Sequence, residues 1–173
     1  VKRNIELLSE AKNTSPNNLS ACVLKRPRHD HIVETLKSMK VNIKFITDGD
    51  VSGVMSVADP NLKIDIFIGT GGAPEGVLAA AALSCLGCQM QTRLSFQNND
   101  EKKRAKTLGI DDLERKYEIN EMVKGDVIFC ATGVTDGDLV KGIKDLGDYF
   151  SSETLVLHKN SKTHQIIKNK IKK

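Results

Sequence analysis

A chain of 173 residues, 39% hydrophobic and 28% charged, carries enough apolar material for one domain with a proper core and has the balance of an ordinary soluble protein. No signal peptide and no apolar run long enough to cross a bilayer is visible. The formal charge of +4 arises at the end of the chain: residues 161–173 hold five lysines and no acid, and without them 21 basic residues face 22 acidic ones. With no aromatics interleaved, that basic tail reads as a solvated, frayed terminus and not as a nucleic-acid arm.

In chain order, strand and helix signals alternate, as in an α/β domain. Residues 19–24 (LSACVL) read as a strand, and 29–40 as a helix with apolar spacing at Ile32, Val33, Leu36 and Met39. Residues 41–46 read as a strand; 51–58 are apolar but ambiguous. Residues 62–68 (LKIDIFI) alternate as a strand does, and 76–86 (GVLAAAALSCL) form a good helix in spite of Gly76. Beyond them come a strand at 89–96, a charged surface helix at 100–108 and a short helix at 119–124. A strand at 127–131 opens into the loop TGVTDGD, and 153–158 with 163–167 make a closing hairpin. No repeat or linker interrupts the pattern, so residues 1–173 are expected to form a single α/β domain ending in the 161–173 tail.

Three polar loops follow strands: KRPRHDH (25–31), TDGDVSG (47–53) and GTGGAPEG (69–76). Ligands in open α/β sheets gather at the carboxyl ends of strands, so these loops are expected to share one pocket. In the third loop, glycines permit a sharp turn, Pro74 suits the first helical position, and the free N–H groups of a helix start favour phosphate. Spacing excludes two familiar glycine motifs. The dinucleotide fingerprint needs glycine where Pro74 stands, and the phosphate loop of nucleotide hydrolases needs Lys-Ser/Thr where Val77 and Leu78 stand. Glu75, at the join, puts negative charge beside a phosphate pocket, which calls for a cation between them. The plainer alternative is a tight turn whose Glu75 only caps a helix.

In the first loop, Pro27 stiffens Arg26 and Arg28, whose guanidinium groups suit bidentate phosphate binding. His29 and His31 read as loop or capping residues and not as metal ligands. Asp48, Gly49 and Asp50 set two carboxylates around a tight turn, fit for a metal, for sugar hydroxyls, or for turn chemistry alone. Cys85 and Cys88 form a lone C-x-x-C without the second pair a zinc site needs. Cys22 and Cys130 fall in apolar strand patterns and read as core. A reduced, cytoplasmic protein fits this usage.

The blocks RPRH, DGDVSGV, ADPN, IDIFIGTGGAPEGVLAAAAL, RKY and ATGVTDGDL, in this order over residues 24–139, resemble the class II fructose-1,6-bisphosphatase family. The resemblance implies the layered α/β sandwich of the metal-dependent, lithium-sensitive sugar phosphatases, and only its C-terminal portion. The family's Asp-Pro-x-Glu-Gly-Thr block, which supplies most metal ligands from the N-terminal half, has no counterpart, since Asp59-Pro60 continues as Asn61-Leu62. A start at Val1 and not at Met agrees with a fragment or a processed product.

Residue by residue, the resemblance implies that Glu75 ligates one of two divalent cations, Mn²⁺ or Mg²⁺. Gly72 lends its backbone to the substrate site. Arg26, Pro27 and Arg28 grip the non-reacting phosphate, and Asp48, Gly49 and Asp50 contact the sugar. No catalytic residue is assigned in this half, and His158 stands where the family more often has arginine. The implied reaction is hydrolysis of the 1-phosphate of fructose 1,6-bisphosphate, in gluconeogenesis, by an enzyme completed by its N-terminal half and forming a homo-oligomer. This chain alone is expected to be inactive. Sedoheptulose 1,7-bisphosphate as substrate, or a non-catalytic phosphosugar-binding fragment, are the alternatives. Neither nucleic acid nor membrane is expected as a partner.

Overall fold

A computed structural model describes all of residues 1–173. The elements in order are α1 (Lys2–Ala11), β1 (Ser20–Leu24), α2 (Asp30–Ser38), β2 (Asn42–Ile46), α3 (Asp50–Met55), β3 (Ile66–Phe67) and α4 (Ala73–Leu86). They are followed by β4 (Gln91–Thr92), α5 (Asn99–Thr107), β5 (Tyr117–Glu118), α6 (Ile119–Met122), β6 (Ile128–Thr132), β7 (Lys144–Asp145), β8 (Tyr149–His158) and β9 (Thr163–Lys172). The α/β expectation holds. No helix is long and apolar enough to cross a membrane.

A parallel sheet of order β2-β1-β3 carries the N-terminal third. Its central strand reads SACVL and is buried on both faces from Ala21 to Leu24, as a covered parallel strand must be. Ala21 and Val23 pack with Ile5 of α1 and with Ile32 and Leu36 of α2. The alanine-rich α4 supplies the second layer of packing. Ala79, Ala80 and Leu83 meet Val54 of α3 and Ile119 of α6, while Ala82 meets Phe129, Leu155 and Leu157 of β6 and β8. Small side chains let α4 pack closely between these partners, and αL Gly87 closes the helix (φ 69°).

The antiparallel sheet is built on β8, which pairs with β6 and β7 on one side and along its whole length with β9 on the other. Its buried face, including Leu155 and Leu157, turns to α4. Its opposite face carries Ile128, Phe150, Ile167 and Ile171, 66%, 39%, 42% and 59% exposed.

Several expectations are corrected. The tail is not frayed: Thr163–Lys172 is a full edge strand, ten residues long, and the hairpin runs from Tyr149 to Lys172. Lysines every second residue from Lys168 suit an edge strand, because charge there discourages pairing with another chain. Cys130 is exposed, since it lies on the outward face of β6 opposite Val156, whereas Cys22 is buried as expected. The strands expected at 62–68 and 89–96 shrink to two-residue ladders. Lys63 turns at φ 49° and delays the first, and the second finds only the short partner Tyr117–Glu118. The ambiguous 51–58 stretch is α3 followed by one turn of 3₁₀ helix at Ser56–Ala58. Pro74 occupies the second helical position, because α4 begins at Ala73.

Candidate functional site

All three polar loops leave the same end of the parallel sheet. Leu24 pairs with Ile46 at the ends of β1 and β2, and Cys22 pairs with Phe67 at the end of β3. The loop after β1 opens as a 3₁₀ turn at Pro27–His29 that runs straight into α2. Proline fixes the first residue of that turn, so Arg26 and Arg28 fall on either side of a stiff corner.

Arg28 and His29 tie this corner to the glycine turn. Arg28 Nε donates to the Thr70 carbonyl at 2.8 Å, and the Thr70 N–H donates to His29 Nε2 at 2.9 Å. The other ring nitrogen of His29, Nδ1, lies 2.7 Å from the Leu24 carbonyl and donates to it. His29 is buried, at 1% exposed. It stands at the N-cap position of α2 but makes no capping bond, so its expected loop or capping role gives way to a bridging one. Arg28 is exposed, and its terminal nitrogens stay free for a ligand; Arg26 Nη1 donates to the Lys25 carbonyl at 2.9 Å.

The loop after β2 turns at Gly49, whose φ of 80° favours glycine and starts α3. Asp48 keeps to its own turn, with Oδ1 accepting the Gly49 N–H at 2.8 Å. Asp50, in the first turn of α3, reaches the glycine turn: its Oδ2 lies 3.2 Å from where a Cβ on Gly71 would stand. Glu75 lies in the first turn of α4, where negative charge is favoured. Its carboxylate folds back over Gly72 so closely that a Cβ there would collide with Oε2. A side chain at 71 or 72 would thus meet a carboxylate from a neighbouring helix start, Asp50 of α3 or Glu75 of α4.

The structure therefore brings together Arg28, Asp50, Gly72 and Glu75, with Pro27 setting the corner. Arg26, Asp48 and Gly49 stand on the adjoining loops with bonds only inside their own turns. The sequence reading missed Thr70 and the inward role of His29. The signal available was a histidine following Arg-Pro-Arg and a lone threonine between glycines. A separate concavity lies between α1, β3 and the C-terminal end of α4, lined by Leu7, Leu8, Phe67, Leu83 and Met90.

Nowhere do three or more His, Cys, Asp or Glu side chains converge to hold an ion. Glu75 and Asp50 offer hard oxygen donors of the kind Mg²⁺ and Mn²⁺ take, but a closed site needs more oxygens than these. Cys85 and Cys88 do not supplement them. Burial pushes both thiols up, and Cys85 Sγ turns to the Val127 carbonyl at 3.6 Å.

Residues 1–171 match the family model described as bacterial fructose-1,6-bisphosphatase, glpX-encoded. A D-fructose 1,6-bisphosphatase class 2/sedoheptulose 1,7-bisphosphatase from Synechococcus sp. (strain JA-3-3Ab) is 32% identical over 179 residues, covering 96% of this chain and 52% of the relative. The fructose-1,6-bisphosphatase class 2 of Haemophilus influenzae (strain ATCC 51907 / DSM 11121 / KW20 / Rd) is 33% identical over 176 residues, covering 94% and 53%. The chain spans about half the length of these relatives. With the RPRH corner, the DGD turn and the GTGGAPEG helix start at one sheet end, and a family match over nearly every residue, the chain belongs to the bacterial, glpX-encoded fructose-1,6-bisphosphatase family.

Proposed function

We propose that the protein carrying this chain is a phosphoric monoester hydrolase that removes the 1-phosphate of fructose 1,6-bisphosphate, releasing fructose 6-phosphate and phosphate in gluconeogenesis. The observation that carries this reading is the tie between the arginine corner and the glycine turn at Thr70, which joins a phosphate grip to a carboxylate site.

In this reading each residue has a separate task. Arg28, anchored by Nε, presents its remaining nitrogens to the non-reacting phosphate, and Arg26 adds charge across the proline. Asp48 and Asp50 accept hydrogen bonds from sugar hydroxyls around the Gly49 turn. The Gly72 backbone and the first N–H groups of α4 orient the reacting phosphate. Glu75 supplies one ligand to divalent cations, Mn²⁺ or Mg²⁺, whose other ligands come from an N-terminal half outside this chain. When bound, such cations neutralise the phosphate and lower the pKa of a water.

Two of the curated relatives, both from Synechococcus, are named for fructose and for sedoheptulose bisphosphate together, which favours sedoheptulose 1,7-bisphosphate as a second substrate. A grip fixed at one phosphate tolerates a longer sugar between. The reading also includes a cytoplasmic homo-oligomer whose subunits each contain both halves.

The test is phosphate release by the full-length gene product from fructose 1,6-bisphosphate with Mn²⁺ or Mg²⁺, beside the 173-residue chain alone. The expected outcome is cation-dependent turnover on the order of 1 per second or faster for the former and none for the latter. A full-length product that binds the sugar bisphosphate without releasing phosphate would leave the phosphosugar-binding module in its place.

A further inference from the structure

We propose that His29 is a positioning residue for this reaction, acting through Thr70 to hold the glycine turn, and with it Gly72 and Glu75, in register with the arginine corner. The inference rests on the bisphosphatase reading for its functional part and on geometry alone for its structural part.

Three observations converge on the imidazole. It is 1% exposed, so both of its nitrogens need partners from the protein. The Leu24 carbonyl, 2.7 Å from Nδ1, can only accept, which puts the proton on Nδ1. The Thr70 N–H, 2.9 Å from Nε2, can only donate, which makes Nε2 the acceptor. The Thr70 carbonyl, 3.1 Å from the same nitrogen, accepts from Arg28 Nε at 2.8 Å. The ring therefore donates from Nδ1 and accepts at Nε2, with one end anchored to the end of β1 and the other to the middle of the glycine turn.

The position of that turn depends on the bond. Residues 69–72 form no helix or strand, and all four are exposed. Within the turn, Gly69 packs close to both neighbours: a Cβ there would stand 3.2 Å from Phe67 Cε1 and 3.5 Å from His29 Cε1. Thr70 thus sits between two ties to one corner, at N–H by His29 and at C=O by Arg28. It lies two residues before Gly72, over which the Glu75 carboxylate folds. Loss of the His29 tie frees the donor end of Thr70 and lets the carboxylate site drift relative to the phosphate grip.

Amide side chains separate this role from bulk packing. Gln at position 29 reproduces the acceptor at Nε2, whereas Asn reproduces the donor at Nδ1 and leaves Thr70 without a partner. His29→Gln, His29→Asn and His29→Ala are made in the full-length gene product. Phosphate release from fructose 1,6-bisphosphate, the Mn²⁺ dependence of that rate, the thermal midpoint, and amide exchange of the peptide spanning 69–72 are then measured.

His29→Asn and His29→Ala are expected to lower kcat by about 10- to 100-fold, the penalty of small misplacements at a reacting centre, and to raise the Mn²⁺ needed for half activation. They should also speed exchange across 69–72. His29→Gln should stay within about threefold of wild type in rate and exchange, even where its thermal midpoint falls as far as that of His29→Asn. Equal activity in the Gln and Asn variants, or activity that follows the thermal midpoint across all three, would overturn the proposal. If the wild-type product releases no phosphate, the bisphosphatase reading fails, while exchange across 69–72 still decides whether His29 holds the turn.

Discussion

Gly72→Ala separates the position of the Glu75 carboxylate from its charge. The backbone at residue 72, at φ −69° and ψ 153°, is in the extended region that alanine adopts freely. Replacing an N-cap glycine costs up to about 1 kcal/mol in capping, while reduced freedom of the unfolded chain returns about 0.4–1 kcal/mol. Global stability should therefore stay within about 0.5 kcal/mol of wild type. The added methyl, however, collides with Glu75 Oε2 and lies 3.2 Å from its Cδ. That obstacle is the far end of an exposed, flexible side chain, so the carboxylate swings away and the fold does not yield. A displacement of about 1 Å at a reacting centre costs on the order of 100-fold in rate, or about 2.7 kcal/mol. The assay pairs urea unfolding with steady-state phosphate release and Mn²⁺ titration in the full-length product. In a Glu75→Gln background the same substitution should cost less than about threefold, because the group it displaces has already lost its charge. A penalty of the same size in both backgrounds would refute the reasoning, as would an unchanged kcat and cation requirement in the single variant.

Glu75→Gln is expected to lower kcat by at least about 100-fold with partial rescue by excess Mn²⁺, whereas Arg28→Ala should mainly raise KM, since its grip on the distant phosphate is nearly uniform binding. Steady-state kinetics on both variants separate the two roles. The His158 ring, with Nε2 2.7 Å from Asp126 Oδ2, holds that carboxyl below the usual carboxylate range, and the Val127 and Asn160 N–H groups assist. A carboxyl depressed in the folded state gives stability that is present above its unfolded value and is lost as pH falls through the folded one. Wild type should therefore lose stability faster than Asp126→Asn below about pH 4, read from urea midpoints between about pH 3 and 7; parallel curves would dismiss the pair. Burial pushes the thiols of Cys22, Cys85 and Cys88 up, while Cys130 is exposed, so Cys130 should be alkylated first by iodoacetamide. Alkylation mapped to Cys85 or Cys88 at the same rate would mark a reactive pair.

How far the fold was legible depended on whether a segment's partners are local. The run at 19–24, the helix at 29–40 and the alanine-rich helix could be read, because burial along one element imposes its own period on the sequence. The pairs Gln91–Thr92 with Tyr117–Glu118, and Lys144–Asp145 with Ser151–Phe150, could not, because two residues carry no period and their pairing is decided by the chain around them. The first helix is short and mostly polar, and only Ile5 and Leu8 mark its packing against β1. The tail was misread for a different reason. Its lysines looked like a solvated charge run, yet they alternate with apolar and polar residues at a period of two, the pattern of an edge strand in which charge is an asset.

The site divides along the same line. The placement of Arg28, Asp50 and Glu75 was legible because each sits at a local landmark, a proline corner, a glycine turn or a helix start. The place of His29 was not, because its partner Thr70 reaches it only after β1 and β3 have paired. A histidine in a polar loop looks solvated until the sheet carries another loop onto it. What the chain cannot supply, it also could not announce. Two carboxylates at one sheet end are too few to close around a cation. Under the proposed function, further oxygen donors would reach the glycine turn from the rest of the enzyme, and the Glu75 carboxylate, a possible helix cap in isolation, would be the point where the two halves meet.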